Sequence, residues 1–155
     1  EILVCLVGSE MCMRDRSSVI GVCLSYCKNS DISNFLKKIQ NNLFDIGGHI
    51  SMSLDDNSIV NEKMISDLDI QINHLNEDLE PLEEFILPSG DYFSANLHVA
   101  RAITRRAERS AVTLYEDSLS KNPVVMYLNR LSDYFFVLSR YHNMKNNIPE
   151  TTWQR

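Results

Sequence analysis

Four arginines, Arg101, Arg105, Arg106 and Arg109, fall within nine residues of a chain whose net charge is −6, and His98 and Glu108 stand among them. On a helix, His98, Arg101, Arg105 and Glu108 are spaced three, four and three apart and form one polar stripe. Arginines one turn apart repel, and the repulsion grows on desolvation unless an anion or a carboxylate offsets it. A guanidinium donates two parallel hydrogen bonds from a planar fork, which suits phosphate oxygens. The stripe admits two readings: a polyphosphate clamp at the edge of a bundle, or the solvated basic face of an amphipathic helix. Val99, Ile103 and Ala107 make its other flank apolar, which predicts a central helix.

Two smaller groups accompany it. Asn129 and Asp133 are one turn apart with Arg130 between them. Asn129 could bond a ribose or phosphate oxygen while Asp133 orients an arginine, or Arg130 and Asp133 form an ordinary helix pair worth about 0.2–0.5 kcal/mol. Phe85 precedes a Pro88-Ser89-Gly90 turn just ahead of the arginine stretch. It either staples the entry to the next helix or projects into an apolar pocket.

Much chemistry is excluded. There is no G-x-x-x-x-G-K-[ST] loop and no H-E-x-x-H, and none of the four histidines has a Glu three residues before it, which disfavours a di-iron carboxylate bundle. No metal ligand set is expected. Cys23 and Cys27 could ligate a soft metal one turn apart, but they read better as small buried hydrophobes. Cys5, Cys12, Cys23 and Cys27 show no C-x-x-C spacing and no secretory signal precedes them, so a reducing, cytoplasmic setting is expected. The excess of 21 Asp and Glu over 15 Lys and Arg argues against nucleic-acid or anionic-membrane binding. The apolar run 2–7 is far shorter than the ~20 residues a bilayer requires.

The elements that must position these residues are helical. With 155 residues, 44% of them hydrophobic, the chain can build one core, and its five glycines and four prolines sit between long periodic segments. Periodicity predicts a first helix over 18–27 and a second over 32–46, capped by Ser30 or Asp31 and stopped by Gly47-Gly48. A third is predicted over 59–78, capped within 55–58. The longest runs over 92–116, with Phe93, Leu97, Ala100, Thr104, Ala107, Ala111 and Leu114 as its seam. Asn122-Pro123 reads as N-cap and first residue of a last helix with Val124, Leu128, Leu131, Phe135 and Leu138 inward. The tail after His142 is expected to fray. The fold class is all-α, an antiparallel bundle with sequential helices as neighbours.

Four motifs carry a resemblance over about residues 18–140: IQNNLFDIGG at 39–48, FILPSG at 85–90, LHVARAITRRAER at 97–109 and YLNRLSDYFFVLSR at 127–140. In this order they resemble the PduO-type ATP:cob(I)alamin adenosyltransferases. The resemblance implies a five-helix bundle of the ferritin-like, cobalamin adenosyltransferase-like kind that forms a homotrimer with active sites between subunits. It implies transfer of the 5′-deoxyadenosyl group of ATP to Co(I) of a reduced corrinoid, with Mg²⁺, ATP and cobalamin as the small molecules and a reductase as a further partner. By resemblance Arg105, Arg106, Glu108, Arg109 and Asn129 belong to the ATP site, and Arg101 and Arg105 take part in catalysis. Phe85 is similar to a residue that covers the lower corrin face and keeps the axial base off cobalt. Cobalt is then the nucleophile, so no Ser, Cys or His need serve as one, and protein arginines stabilise departing triphosphate.

The start departs from the pattern. Members have a segment resembling T-R-x-G-D-x-G-x-T and then L-D-E-L-N before the first helix, whose aspartate pairs with the arginine matching Arg101. Here SSVIG at 17–21 keeps the end of that helix, while residues 1–16 are expected to be a non-native or irregular segment of an N-terminally truncated chain. Asp15 lies too near Ser18 for that pairing, so Arg101 is expected to lack its carboxylate. Ser89 replaces a usual glycine. Residues 17–145 are read as the adenosyltransferase domain and 146–155 as a tail. The competing expectation is a non-catalytic bundle or an inactive fragment.

Overall fold

A computed structural model describes residues 15, 17–51, 59–114 and 122–154. Among them are five helices: α1 (17–26), α2 (Ser30–Ser51), α3 (Glu62–Asn76), α4 (Tyr92–Leu114) and α5 (Pro123–Lys145). The all-α expectation holds, and the one departure from helix and loop is an isolated antiparallel bridge between Ile86 and Thr152.

The chain directions follow from pairs of side chains. Phe35 and Asn42 of α2 meet Tyr134 and Tyr127 of α5 respectively, so these two helices run antiparallel. Ser94 and Glu108 of α4 meet Ser139 and Asn129 of α5, again antiparallel. Asp69 and the Asp78 just beyond α3 meet Arg130 and Lys145, so α3 and α5 run parallel. This is up-and-down order in which α5 touches α2, α3 and α4. Its Tyr127, Leu128, Leu131, Phe135 and Leu138 are fully buried in the same core as Leu36, Leu43, Leu97 and Ala100.

The core explains where the helix limits differ from expectation. Gly47-Gly48 does not stop α2. Two glycines weaken a helix by about 1 kcal/mol each, but one further turn carries Ile50 into the core beside Ile46, and both are buried. The α2 cap is Asn29, whose Oδ1 accepts from the backbone N–H of Asp31 and Ile32, rather than Ser30 or Asp31. In α3 the cap is Asn61, in extended geometry with its side chain accepting from Met64 N–H, so the helix starts after Ile59. The expected cap at 55–58 and the end of α4 near Glu116 lie outside the described residues. Asn122 and Pro123 open α5 as expected, with Asn122 accepting from Val124 and Val125.

The central helix is α5, not α4, whose Val99 is exposed. Nor does the tail fray after His142. Helix α5 continues to Lys145, and the chain then returns along the 85–87 segment, with Leu87 N–H donating to Thr151 O and Trp153 N–H to Phe85 O, each at 2.7 Å. The turn into α4 requires Gly90. Its φ is +113°, and a Cβ there would lie 2.6 Å from Asn143 Oδ1. Ser89, by contrast, has an ordinary backbone, and its carbonyl accepts from Ser94 Oγ.

Candidate functional site

Helix α4 brings the arginine stretch against α5, and the polar stripe resolves into two adjoining parts. In its C-terminal half Glu108 is buried, with its side chain 11% exposed, and its two oxygens have different partners. Arg105 Nη1 donates to Oε2 at 2.5 Å, and Asn129 Nδ2 of α5 donates to Oε1 at 3.0 Å. The carboxylate is therefore a clamp between two side chains that the sequence placed 24 residues apart. It holds the Arg105 guanidinium at the surface, where the side chain is 45% exposed and keeps unused donors for an anion. Arg106 points elsewhere and pairs with Asp15 at 3.1 Å. Arg109 is exposed and forms no ion pair with another described residue.

One turn back, about 6 Å along the helix axis, Arg101 takes part in a different structure. Its guanidinium lies 4.7 Å from the centroid of the Phe136 ring on α5, a cation–π contact, and no described carboxylate pairs with it. Arg101 and Phe136 form one wall of a cleft of about 920 Å³. The facing wall is Phe85 with Ile86 and, from the returning tail, Thr152 and Trp153. Phe85 is 79% exposed, so the stapling alternative is set aside in favour of the pocket. The cleft is rimmed by Glu83 and Glu84 as well, which makes its mouth acidic.

His98, the first residue of the stripe, turns inward instead. It is 8% exposed, stacks edgewise on Phe136, and its Nδ1 has no hydrogen-bond partner among the described residues. Burial holds its pKa below the ordinary 6.5, and the nearby Arg101 charge pushes the same way, against a smaller opposing pull from Glu150. A histidine that binds its proton less readily when folded contributes stability above its unfolded pKa, and that stability is lost as pH falls. Lowering pH from about 7 to about 5 should therefore reduce the urea midpoint. The slope should flatten in His98→Gln; an equal slope in the variant would assign the effect to other groups.

The Arg130 and Asp133 pair is structural, as the simpler reading had it: Arg130 joins Asp133 at 3.3 Å and Asp69 of α3 at 3.1 Å. Cys23 is buried and Cys27 half-buried, both as free thiols, and burial pushes Cys23 up to about 12. Cys5 and Cys12 lie outside the described residues. Sequence reasoning missed the tail's part in the cleft. Its signal was Thr151-Thr152-Trp153, a β-branched and aromatic triplet containing the sole tryptophan.

The family model for cobalamin adenosyltransferase matches residues 13–142. A corrinoid adenosyltransferase of Bacillus subtilis is 35% identical over 144 residues, covering 90% of this chain and 75% of its own length. A cobalamin adenosyltransferase of Cupriavidus metallidurans is 38% identical over 125 residues, covering 81% and 67%. Among solved structures, a phenylalanine-to-alanine variant of the PduO-type ATP:corrinoid adenosyltransferase from Lactobacillus reuteri, complexed with cobalamin and ATP, superposes with a TM-score of 0.85 at 31% identity, covering 97% of this chain and 87% of that one. An arginine-to-lysine variant of the same enzyme, complexed with ATP, also gives 0.85, at 33% identity and the same two coverages. With the family model matching most of its length, relatives above 30% identity and solved PduO-type structures superposing along nearly all of it, the chain belongs to the cobalamin adenosyltransferase family, of the PduO type.

Proposed function

We propose that the chain transfers the 5′-deoxyadenosyl group of ATP to Co(I) of a reduced corrinoid, forming adenosylcobalamin and releasing triphosphate. The observation that carries this reading is the adjacency of two unlike surfaces on one helix: Arg101 in the aromatic cleft and, one turn on, Arg105 held outward by Glu108. A flat, largely apolar macrocycle suits the first and a polyphosphate the second. In this reading the cleft between Phe85 and Phe136 receives the corrinoid, with Phe85 over its lower face. Removing the axial base there lowers the half-filled cobalt orbital that takes the incoming electron and makes Co(II) reducible to Co(I).

Arg105, Arg109 and Asn129 face the nucleotide, and Arg106 joins them on exchanging Asp15 for a phosphate oxygen, while Glu108 fixes the angle of Arg105 and the amide of Asn129. Cobalt attacks C5′, the C5′–O bond breaks, and the electron pair leaves with triphosphate. Charge grows on the leaving oxygen, where Arg105 meets it with donors already oriented, so little reorganisation is needed in the transition state. Arg101, poised on Phe136 between the two surfaces, orients one substrate toward the other.

Mg²⁺ belongs to this reading as the companion of the triphosphate, since magnesium is commonly held by substrate phosphates with few protein ligands. Among the described residues no three metal-binding side chains cluster. A homotrimer with sites between subunits is supported by the exposed apolar side chains Phe44 and Val99. A reductase supplies the electron, and a cytoplasmic setting is supported by the free thiols Cys23 and Cys27. Among the described residues no helix is long and apolar enough to cross a membrane.

The test is to mix the protein with cob(II)alamin, a strong reductant and Mg-ATP and follow the visible spectrum. The expected result is conversion to adenosylcobalamin, sharply slowed in Phe85→Ala when reduction must occur on the enzyme but not when cob(I)alamin is supplied. A well-folded protein that gives no product from cob(I)alamin would overturn the proposal.

A further inference from the structure

The cleft has one rigid wall and one that needs fastening. Arg101 and Phe136 stand on helices, whereas Phe85 and Trp153 stand on two irregular segments, the α3 to α4 connection and the returning tail. Among the described residues these segments are joined by two backbone hydrogen bonds, Leu87 N–H to Thr151 O and Trp153 N–H to Phe85 O. So short a pairing is marginal in water on its own. A single side chain ties both segments to the bundle. Arg140, near the C-terminal end of α5, donates from Nε to Glu150 Oε1 of the tail at 3.0 Å and from Nη2 to the Glu80 carbonyl of the connection at 2.9 Å. Its side chain is only 11% exposed and that of Glu150 27%, so the pair is shielded from the screening that weakens surface ion pairs. The planar fork reaches two targets in different directions, which an ammonium on a flexible stem does less well.

The geometry points to Arg140 as a positioning residue for the corrinoid side of the site, acting through Glu150 and the Glu80 carbonyl to hold Phe85 and Trp153 across the cleft from Phe136. The inference rests on the corrinoid reading of that cleft. Arg140 is not among the residues that line the cleft, and its described side-chain bonds go to Glu150 and Glu80 rather than to the Arg105, Glu108 and Asn129 cluster. Its loss should therefore loosen one wall and leave the nucleotide surface as it is.

Trp153 is the sole tryptophan and reports on the wall directly. In the full chain, Arg140→Ala and Glu150→Gln should each raise acrylamide quenching of its fluorescence by about twofold, with helical circular dichroism unchanged, because stability is not uniform and this edge opens alone. In steady-state assays with cobalamin and ATP, the corrinoid KM should rise about tenfold while the ATP KM stays within about twofold. Arg140→Lys, which keeps the charge and loses the fork, should recover part of both effects. Unchanged quenching together with unchanged corrinoid KM overturns the assignment, as does an equal rise in both KM values. Should Arg140→Ala lose helix content, Glu150→Gln decides, since it alters only the tail's side of the contact. A wild-type chain without turnover defeats the adenosyl-transfer reading, while Trp153 quenching still decides whether Arg140 fastens the wall.

Discussion

Arg105→Ala should abolish most turnover while leaving the bundle folded. The guanidinium is the one member of the cluster that combines a fixed orientation with surface exposure, through Glu108 on one side and open solvent on the other. Removing a preorganised donor that meets developing charge costs on the order of 10²–10³ in kcat. The stability cost should be about 1 kcal/mol or less, because the side chain is 45% exposed and Glu108 keeps its bond from Asn129. The measurement is kcat with Mg-ATP and cob(I)alamin beside a urea melt. Near wild-type turnover would remove Arg105 from the mechanism, and a collapsed melt would make its role structural. Arg105→Lys should recover only a minor part, since an ammonium keeps the charge without the planar fork.

Phe135→Ala should show the converse. Phe135 has no exposed surface and sits in the middle of α5, the helix that touches α2, α3 and α4. Truncating a buried phenylalanine costs about 3–5 kcal/mol through lost transfer energy and the cavity left behind. Against a total stability of about 5–15 kcal/mol this is a large share. The expected result is a fall of the urea midpoint at unchanged slope, with KM for ATP near the wild-type value at a temperature where the variant remains folded. A shift corresponding to less than about 1 kcal/mol would mean that the bundle repacks around the site. The two variants together separate chemistry from scaffold: one loses turnover with its melt intact, the other loses its melt with nucleotide binding intact.

Sequence alone carried the helices, because a helix advertises its buried face at a fixed period. Phe93, Leu97, Ala100, Ala107 and Ala111 on α4, and Leu128, Leu131, Phe135 and Leu138 on α5, were each legible as a stripe and each is buried. The Asn122-Pro123 start of α5 was legible for the same reason, since capping is a local hydrogen-bond problem with a local solution. The family motifs placed the arginines, Asn129 and Phe85 in one protein, but spacing left open what each touches.

Tertiary structure decided the rest, where the deciding contact came from far along the chain. Gly47-Gly48 looked like a stop, yet Ile50 found a place in the core that outweighed the local cost. Val99 suggested a central α4, yet α5 took the centre. Glu108 became a clamp because α5 offers Asn129 to it, and Arg105 gained its fixed orientation from that meeting. The tail read as frayed because Pro149 to Trp153 has no helical period of its own. It is ordered by bonds to residues some 65 positions earlier, which is the sequence distance between Phe85 or Leu87 and their partners Trp153 and Thr151. Helix periodicity and caps depend on neighbours within a turn, so the sequence determined them. A clamp and a cleft wall depend on which faces the packed core brings together, and the free energy that selects those pairings arises only when the core forms.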